Sequence, residues 1–503
     1  MKNNKKVNKK KVKNNLFFKI ISILLALVFV VSIGFIIYFE LLPIQYLSML
    51  IIFGGLIVFG LFKILNNKRL KKYIKIIFSI PSILLTLILV MVCLYSVGTL
   101  SFFNKIFDTG IRTDTYSLYV LKDSEYSKVN DLDNKTIGVL EDENKDKVID
   151  RLSNKIEFDM IEYKDVNEAL DDLENNEIDS VVALDSSIDL LQEDTDEYDN
   201  IKKIYSFNIT NYIKTIKSNK NVAKDNFVFY ISGVDTNGKV ESKARSDVNI
   251  LVAVNPSKNK ILMVNTPRDY YVSLHSKKSM DKLTHAGVYG IEESVGTLED
   301  LYDVKVDYYA RVNFTTFVNI VEKLGGITVD VPVNFCEQTS SRTSSNQICL
   351  KKGVQELNGE QALALSRTRH TIAGGDRGRI ENQMLVLKAI IDKAMSPTII
   401  VKYNSLLGSI GDSVITNIDQ KSVTKLIKKQ IKSNDAWEIE TYSVDGSDSS
   451  NTTYSTGSAR VYVMNPKEET VMEAKKKLDD ILETNKYKES TTTSTTTKNN
   501  NIN

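Results

Sequence analysis

The chain contains 503 residues, of which 42% are hydrophobic and 25% are charged, and Lys and Arg outnumber Asp and Glu by only 65 to 63. This composition excludes a fully disordered or collagen-like chain, and the length allows about three domains of ordinary size. The net charge of +2 conceals an uneven distribution. Residues 1–103 carry 14 basic residues and one acid, whereas residues 104–503 carry 51 basic and 62 acidic residues.

Three uncharged segments in the basic part are long enough to cross a lipid bilayer as helices. They are Ile20–Phe39, Ile44–Phe62 and Ile76–Leu100, and each is close to the roughly 20 residues that a membrane-spanning helix needs. A cleaved signal peptide would explain only the first, but that run is too long and no small-residue cleavage site follows it. Residues 1–103 are therefore predicted to form a basic tail and three transmembrane helices.

Basic residues near the span ends predict the orientation in the membrane. Seven lysines lie between Lys2 and Lys13, and five basic residues lie in the loop between Lys68 and Lys75. Such residues concentrate on the cytoplasmic side, so both segments are expected there, and three crossings place the C-terminal domains outside the cell. Nucleic-acid binding is the alternative reading of the tail. Because membrane anchoring explains both basic segments, we expect no nucleic-acid partner.

Residues 104–222 are predicted to form an extracellular accessory domain. The predicted strands are Tyr116–Leu121, Thr136–Leu140, Phe158–Tyr163 and Ser180–Leu184, and the predicted helices are Lys145–Leu152 and Val166–Asn175. This alternation is typical of βαβ units. The segment resembles part of a lobe of solute-binding proteins but carries no ligand motif, which favours a structural or partner-docking module.

A second globular unit is predicted over residues 223–485, followed by a disordered Thr- and Asn-rich tail over residues 486–503. Cys336 and Cys349 flank a Ser- and Thr-rich insert, and outside the cell they form either a disulfide or two free thiols. Cys93 lies inside the third span and is interpreted as packing. The three histidines show no ligand spacing, so a zinc site is not expected.

Four charged residues are expected to meet at one edge of a sheet in this second unit. The strands Phe227–Ser232, Val248–Asn255 and Lys260–Asn265 follow one another and are interpreted as an antiparallel run. The loops after the first strand, before the second and after the third then share one sheet edge, a common place for functional residues. The charged residues of these loops are Asp235, Arg245, Asp247 and Arg268.

A second charged cluster surrounds the start of a predicted helix, Arg379–Met395, which follows a short predicted helix at Gly359–Ser366. Arginine at a helix N-terminus opposes the helix macrodipole, and this arrangement becomes favourable when an anion binds there. Arginines that face solvent or pair with local acids are the alternative reading. The candidate residues are Arg367, Arg369, Asp376 near the helix N-cap, Arg379 and Gln383.

Together the two clusters indicate a substrate that carries a pyrophosphate. Arginine makes planar, bidentate contacts to phosphate oxygens. Two carboxylates can hold Mg²⁺, which keeps its remaining coordination positions for water and substrate phosphates. We therefore predict Mg²⁺ as the cofactor, with Mn²⁺ as the alternative ion.

Seven segments of this unit, in order, resemble the LytR–CpsA–Psr family of bacterial cell-wall enzymes. They read ISGVD, ARSDVNILVAVNP, VNTPRDYYV, DKLTHAGVYG, VDYYARVNFTTFVNIVEKLGGITVDVPV, LNGEQALALSRTRH and GGDRGRIENQMLVLKAI. Three spans followed by an accessory domain are similar to the capsule-associated, CpsA-like branch. The resemblance implies an α/β/α sandwich with a hydrophobic tunnel for a polyprenyl chain. It also implies transfer of an anionic or capsular glycopolymer from undecaprenyl pyrophosphate to peptidoglycan by Mg²⁺-assisted phosphoryl transfer.

The same resemblance implies roles for individual residues. Asp235 and Asp247 would bind Mg²⁺, and Arg245, Arg268 and Asp247 would be catalytic. The residues implied to contact the pyrophosphate are Arg245, Arg268, Arg367, Arg369, Arg379 and Gln383, with Asp376, Lys282 and His285 in support. His285 is interpreted as a structural hydrogen-bonding residue rather than a catalyst. The apolar stripe of Phe314, Phe317, Val318, Val321 and Leu324 is interpreted as core, with the tunnel wall as the alternative.

Two other functions would use the same features. A pyrophosphatase would need the same residues, with water in place of the peptidoglycan hydroxyl. A non-enzymatic membrane regulator of capsule synthesis would need a cytoplasmic domain, whereas the segments predicted to be cytoplasmic are too short to fold alone. The expected partners are the lipid-linked glycopolymer, peptidoglycan and the membrane, and through the spans other membrane proteins of wall or capsule synthesis.

Overall fold

The computed structural model describes residues 2–38, 44–107, 111–195, 198–212, 218–236, 240, 243–340, 347–369, 376–396, 414–433 and 435–487. By its internal contacts the chain divides into two compact units. One unit comprises residues 1–105 with 420–434, and the other comprises residues 106–419 with 435–503. Most of the predicted disordered tail, from residue 488 onward, lies outside the described residues.

The first unit contains long apolar helices that confirm the three predicted spans. Among the described residues, Leu16–Tyr38, Tyr46–Asn66 and Lys72–Leu94 are each long and apolar enough to cross a membrane. The helices are α1 (Lys2–Tyr38), α2 (Ile44–Met49), a π-helical turn (Leu50–Gly54), α3 (Gly55–Asn66), α4 (Lys72–Phe107) and a separate helix at Gln420–Ser433.

Polar side chains link the apolar helices of this unit. Ser32 Oγ on α1 lies 3.2 Å from Cys93 Sγ on α4, and Asn66 Nδ2 at the end of α3 donates to Ser22 Oγ over 2.7 Å. Small polar residues of this kind commonly connect helices where lipid offers no hydrogen-bonding partner. Cys93 is thus part of the α1–α4 packing.

The accessory segment folds around a mixed sheet. Its elements are β1 (Ile111–Leu121), β2 (Lys135–Leu140), α5 (Lys145–Ser153), β3 (Phe158–Tyr163), α6 (Val166–Glu174), β4 (Ser180–Leu184), α7 (Asp185–Thr195) and β5 (Ile201–Tyr212). The strand order in the described structure is β3-β2-β4-β1-β5, with β2 parallel to β3 and β4. The four predicted strands and two predicted helices are present, and α7 and β5 are additional.

The larger part of the second unit contains a second sheet and most of the remaining helices. The strands are β6 (Phe227–Val234), β7 (Val248–Asn255), β8 (Lys260–Thr266), β9 (Tyr271–Ser273), β10 (Met280–Lys282), β11 (Tyr308–Asn313), β12 (Ile327–Val331), β13 (Phe335–Gln338), β14 (Gln347–Leu350), β15 (Gly353–Leu357), β16 (Val414–Thr416), β17 (Glu438–Ser443), β18 (Gly446–Thr452) and β19 (Arg460–Pro466). The helices are α8 (Leu283–Ala286), α9 (Ile291–Tyr302), α10 (Phe314–Leu324), α11 (Gly359–Arg367), α12 (Asp376–Ala394) and α13 (Glu468–Leu482). As far as it is described, the main sheet has the order β16-β11-β6-β7-β8-β17.

This sheet separates two helical layers because its side chains alternate between its faces. On one face, Tyr230 and Leu262 pack with Leu298 of α9 and Leu478 of α13. On the opposite face, Phe229 and its neighbours line a cavity whose other wall is formed by α10, α11 and α12. The arrangement is an α/β/α sandwich, which confirms the predicted fold class.

A disulfide closes the hairpin of β13 and β14. Cys336 and Cys349 face each other in this antiparallel pair and are bonded. Of the two alternatives left open by the sequence, a bridge or two free thiols, the structure contains the bridge. Residues 341–346, between the two strands, lie outside the described part of the chain.

Candidate active site

A cavity of about 490 Å³ lies between the main sheet and helices α10, α11 and α12. Strand and helix side chains give it apolar walls, which include Phe229, Ile231, Ile250, Val312, Phe314, Phe317, Ile320, Leu363, Val386, Leu387 and Ile390. Charged and polar side chains also line it. Asp235, Asp247 and Arg268 lie where strands β6, β7 and β8 begin or end, and α11, the residues after it and α12 contribute Arg367, Arg369, Arg379 and Gln383. The cavity therefore joins an apolar chamber to a cluster of arginines and carboxylates.

The sheet pairing explains why the first cluster assembles. β6 pairs antiparallel with β7, and β7 with β8, so that Asp235, Asp247 and Arg268 are at the same edge. The Asp247 N–H donates to the Gly233 carbonyl over 2.8 Å, which closes the loop onto the end of β6. A Cβ at Gly233 would lie 2.8 Å from the Cβ of Val248, so glycine is needed for this close pairing. The predicted antiparallel run is confirmed.

Arg268 and Asp247 form an ion pair inside this cluster. Arg268 Nη1 donates to Asp247 Oδ1 over 2.8 Å, and Arg268 Nε lies 3.3 Å from Asp269 Oδ2. Both carboxylates are largely buried, and the guanidinium is partly exposed to the cavity. The two contacts with carboxylates hold the guanidinium at the wall of the cavity.

Helix α11 delivers Arg367 to the cavity. Asn358 caps this helix with a reciprocal pair of hydrogen bonds to Gln361, which defines where the helix starts. At its other end, the Arg367 guanidinium lies over the ring of Phe314, 4.7 Å from the ring centroid, and Nη1 approaches Thr339 O at 3.4 Å. Arg369 follows α11 at an exposed position on the same cavity.

Helix α12 begins at Asp376 and carries Arg379 and Gln383 along one face into the cavity. Arg379 is only 6% exposed. The first turn is held by Arg377, whose Nε donates to Asp445 Oδ1 over 2.9 Å. A hydrogen bond from Lys467 and a second from Arg377 lower the pKa of Asp445 to about 2, although partial burial acts in the opposite direction. The side chain of Asp376 lies outside the described residues, so its supporting role stays a prediction.

The Arg245 side chain contacts acids of α7. It is not among the described residues that line the cavity. Its guanidinium forms an ion pair with Glu193 of α7, and Asp194 Oδ1 lies 3.9 Å away. Burial alone would lower the pKa of Arg245, but the charges of Asp247 and Glu193 outweigh this effect and raise it. The implied contact with pyrophosphate stays a prediction for this residue.

Lys282 and His285 lie beside Arg245 in a buried network. Lys282 Nζ lies 2.6 Å from Asp194 Oδ2 and 3.7 Å from Asp269 Oδ1. His285 is fully buried between Asp281, 2.6 Å from Nδ1, and Asp194, 3.0 Å from Nε2. Burial lowers the pKa of His285, but the charge of Asp281 and the hydrogen bond with Asp194 raise it above its usual value. The geometry agrees with a structural rather than a catalytic histidine.

The apolar stripe of α10 has two different surroundings. Phe314 and Phe317 line the cavity, as the tunnel alternative required. Val321 and Leu324 are buried in the protein interior, where Val321 packs with the strands β12 and β15. The core interpretation is therefore correct for Val321 and Leu324, and Phe317 packs against the same core while it also lines the cavity. Contact of this helix with a lipid stays a prediction.

The donor set at the sheet edge fits a magnesium ion. Asp235 is exposed at the cavity and Asp247 is on the adjoining strand end, and both offer the carboxylate oxygens that Mg²⁺ prefers. No group of three or more metal-binding side chains occurs in the searched, described part of the chain. An ion here would therefore keep most of its positions for water and substrate oxygens, which is usual for Mg²⁺ at phosphate substrates.

Sequence reasoning missed several residues that shape this site. Glu193 and Asp194 come from the accessory segment, and Asp269 lies between Arg268 and Lys282. The sequence analysis singled out none of the three. One signal was available, because the sequence QEDT ends α7 with two acids where the helix macrodipole disfavours negative charge. Such a placement indicates that cations from elsewhere in the fold lie nearby.

These features define a membrane-anchored α/β/α domain with an arginine- and carboxylate-lined apolar cavity. The sequence model of the LytR_cpsA_psr family matches residues 147–479, which is well over half of the chain. The chain therefore belongs to this family, and the resemblance found in the sequence is confirmed.

Curated relatives carry names that refer to wall-polymer transfer and to biofilm regulation. Polyisoprenyl-teichoic acid–peptidoglycan teichoic acid transferase TagT of Bacillus subtilis is 37% identical, over 40% of this chain and 63% of TagT. TagU of the same organism, with the same enzyme name, is 35% identical over 44% of this chain and 72% of TagU. Biofilm regulatory protein A of Streptococcus mutans is 33% identical over 48% of this chain and 64% of that protein. The chain thus spans slightly less than two thirds of TagT and of the biofilm protein.

Solved structures of relatives also align with this chain. A crystal structure of Bacillus subtilis TagV shares 30% identity and a TM-score of 0.44, covering 52% of this chain and 98% of TagV. TagT bound to LI-WTA shares 28% identity and a TM-score of 0.42, covering 54% of this chain and 97% of TagT.

Proposed function

We propose that the protein transfers a glycopolymer from a polyprenyl pyrophosphate carrier to peptidoglycan. The observation that carries this proposal is the lining of the cavity, which combines apolar walls with arginines and carboxylates. A polyprenyl pyrophosphate has the matching form, a long hydrocarbon chain that ends in a highly charged group. The names of the relatives TagT and TagU support the same reaction.

Each end of the cavity has its own part in binding. The apolar walls from β6, β7, α10 and α12 would surround the lipid chain, and removal of its hydrocarbon surface from water would favour binding. Arg268, Arg367, Arg369 and Arg379 would contact the pyrophosphate oxygens. The start of α12 adds backbone N–H groups and the positive end of the helix macrodipole.

The proposed reaction is a phosphoryl transfer. A hydroxyl of a peptidoglycan sugar attacks the phosphorus that bears the glycan, a new P–O bond forms, and the bond to the bridging oxygen breaks. Polyprenyl phosphate leaves with the bonding electrons. Negative charge develops on the phosphoryl and leaving oxygens, and arginines fixed in advance stabilise it.

The carboxylates of the sheet edge have two proposed tasks. Asp235 and Asp247 would hold Mg²⁺, which when bound would neutralise charge on the phosphate oxygens. Either Asp235, which is exposed at the cavity, or Asp247, which accepts a hydrogen bond from Arg268, would receive the proton of the acceptor hydroxyl. Chelation with EDTA should stop transfer, and Mg²⁺ or Mn²⁺ should restore it.

The three apolar helices would anchor the protein so that the cavity faces the wall. We propose a cytoplasmic N-terminus, since the basic tail and the basic loop obey the positive-inside rule. The accessory and catalytic segments would then be extracellular, next to peptidoglycan. The spans also offer a surface for other membrane proteins of wall or capsule synthesis.

Analysis of wall polymers in a deletion strain tests this function and identifies the substrate. Loss of one wall-bound polymer, with its release into the medium, is expected. Complementation with the wild-type gene should restore attachment. An unchanged set of wall-bound polymers, in a strain without a second gene of this family, would refute the proposal.

A further inference from the structure

The last turn of α7 brings two carboxylates of the accessory segment to cations of the catalytic segment. Glu193 forms an ion pair with Arg245. Asp194 Oδ2 lies 2.6 Å from Lys282 Nζ and 3.0 Å from His285 Nε2. A single carboxylate group thus contacts two partners, one from β10 and one from α8.

This placement is unfavourable for α7 taken alone. Glu193 and Asp194 lie at the negative end of the helix macrodipole, and the helix sequence DSSIDLLQEDT contains no basic residue. The partners from the catalytic segment compensate for this. Burial raises the pKa of Asp194, but the hydrogen bond and charge of His285 and the charge of Lys282 outweigh it and hold that pKa well below its usual range.

From Asp194 a chain of alternating charges leads to the cavity. Lys282 lies next to Asp194 and 3.7 Å from Asp269, and Asp269 lies 3.3 Å from Arg268. Arg268 in turn donates to Asp247 at 2.8 Å. Each ion contacts the next of opposite sign, so the position of each depends on its neighbours.

The charged residues nearest the accessory segment are largely buried. The side chain of Lys282 is 7% exposed, and those of Asp194 and Asp269 are each 13% exposed. Exposed ion pairs hold their side chains in place only weakly, because water and salt screen the attraction between the charges. Removal of one member from a buried chain instead leaves its partner uncompensated, and that partner must move or recruit water.

We propose that Asp194 is a positioning residue of the active site, supplied by the accessory domain. It holds Lys282, and through Lys282 and Asp269 it fixes the Arg268 guanidinium against Asp247. The accessory domain is thereby part of the catalytic apparatus rather than a separate docking module. This inference rests on the proposed function, in which Arg268 binds the pyrophosphate.

Calorimetric binding of farnesyl pyrophosphate to the full chain in detergent, with Mg²⁺, provides the test. The Asp194→Asn variant should bind about tenfold more weakly, in line with the usual effect of removing a group that orients a ligand-binding residue. Asp194→Glu, which keeps the charge, should recover part of the loss. Asp185→Asn is the matched control, because Asp185 lies on the same helix but pairs with Lys203 of the accessory segment at 2.6 Å.

The double variant separates positioning from a merely structural contact. In an Arg268→Ala background, Asp194→Asn should weaken binding by less than about twofold, since the residue through which it acts is gone. An undiminished effect in that background, or an effect equal to that of Asp185→Asn, overturns the inference. If Asp194→Asn does not fold, Lys282→Met takes its place with the same expected result. If the wild-type chain does not bind farnesyl pyrophosphate, the proposed function itself fails, and the inference fails with it.

Discussion

Arg268 Nη1 donates to Asp247 Oδ1 over 2.8 Å, although one residue follows β8 and the other precedes β7. The pair connects a residue proposed to bind pyrophosphate with a residue proposed to bind Mg²⁺. A change at either position therefore disturbs both parts of the charged cluster. Glycine at position 233 permits the close pairing of β6 with β7, and the pairing of β7 with β8 brings Asp247 and Arg268 to the same edge of the sheet.

Loss of this ion pair should stop the reaction while leaving the fold intact. Arg268→Ala or Asp247→Ala is expected to reduce transfer at least about 100-fold, because each removes preorganised stabilisation of the transition state. The measurement is transfer by the purified full chain, with thermal unfolding as the check on folding. Lys305→Ala, an exposed cation that pairs with Glu299, is the control and should keep full activity. Undiminished transfer by both Arg268→Ala and Asp247→Ala would falsify the site assignment.

The apolar chamber should hold the lipid chain of the donor. Ile390 lines the cavity from α12, and Ile390→Trp would fill part of its volume. We expect KM for an undecaprenyl-linked donor to rise about tenfold or more, since hydrophobic pockets discriminate by this amount per added group. A donor with a short prenyl chain, assayed with the same variant, serves as the control and should be little affected. Equal losses for long and short donors would show that the cavity does not hold the lipid.

The disulfide should contribute to stability rather than to chemistry. Cys336 and Cys349 are 13 residues apart, and a loop of this size corresponds to about 3 kcal/mol in the chain-entropy description. The double variant Cys336→Ser, Cys349→Ser should therefore lower Tm. Transfer well below Tm should stay near the wild-type rate, because neither cysteine is among the described residues that line the cavity. A Tm equal to that of the wild type would contradict this prediction.

The buried histidine predicts how stability changes with pH. His285 has a raised pKa in the folded protein, so its contribution is complete below the unfolded value of about 6.5 and is lost as pH rises through the folded value. Asp194 has a lowered pKa, so its contribution is lost on acidification. Wild-type Tm should therefore fall more steeply on the alkaline side of pH 6.5 than that of His285→Gln. Parallel Tm profiles of the two proteins would contradict this assignment.

Local sequence patterns were sufficient to predict that three residues of the first charged cluster meet at one edge of the sheet. Alternating strands joined by short connections, such as NPSKN between β7 and β8, favour antiparallel neighbours, and this fixes which strand ends share an edge. Asp235, Asp247 and Arg268 were therefore placed correctly. The three spans were likewise predicted from the length of the apolar segments alone, without tertiary information.

Contacts between distant segments could not be predicted in this way. The direction of Arg245 depends on α7, which is 50 residues upstream and was itself missed, because DSSIDLLQEDT has few apolar residues to mark a helix. The parallel pairing of β11 with β6 requires a long crossover, and no local signal specifies it. The division of α10 between cavity and core also depends on which neighbours cover each turn.

Covalent attachment of polymer to peptidoglycan is the most direct test of the central claim. The purified full chain would be incubated with Mg²⁺, a polyprenyl pyrophosphate donor labelled in its glycan, and insoluble peptidoglycan, which is then extracted with hot detergent. We expect label that resists extraction and increases with time, with one polyprenyl phosphate released per glycan attached. Label that appears only as soluble glycan phosphate would indicate a pyrophosphatase, and label that stays on the lipid would indicate a non-enzymatic role; either result would contradict the proposed transfer.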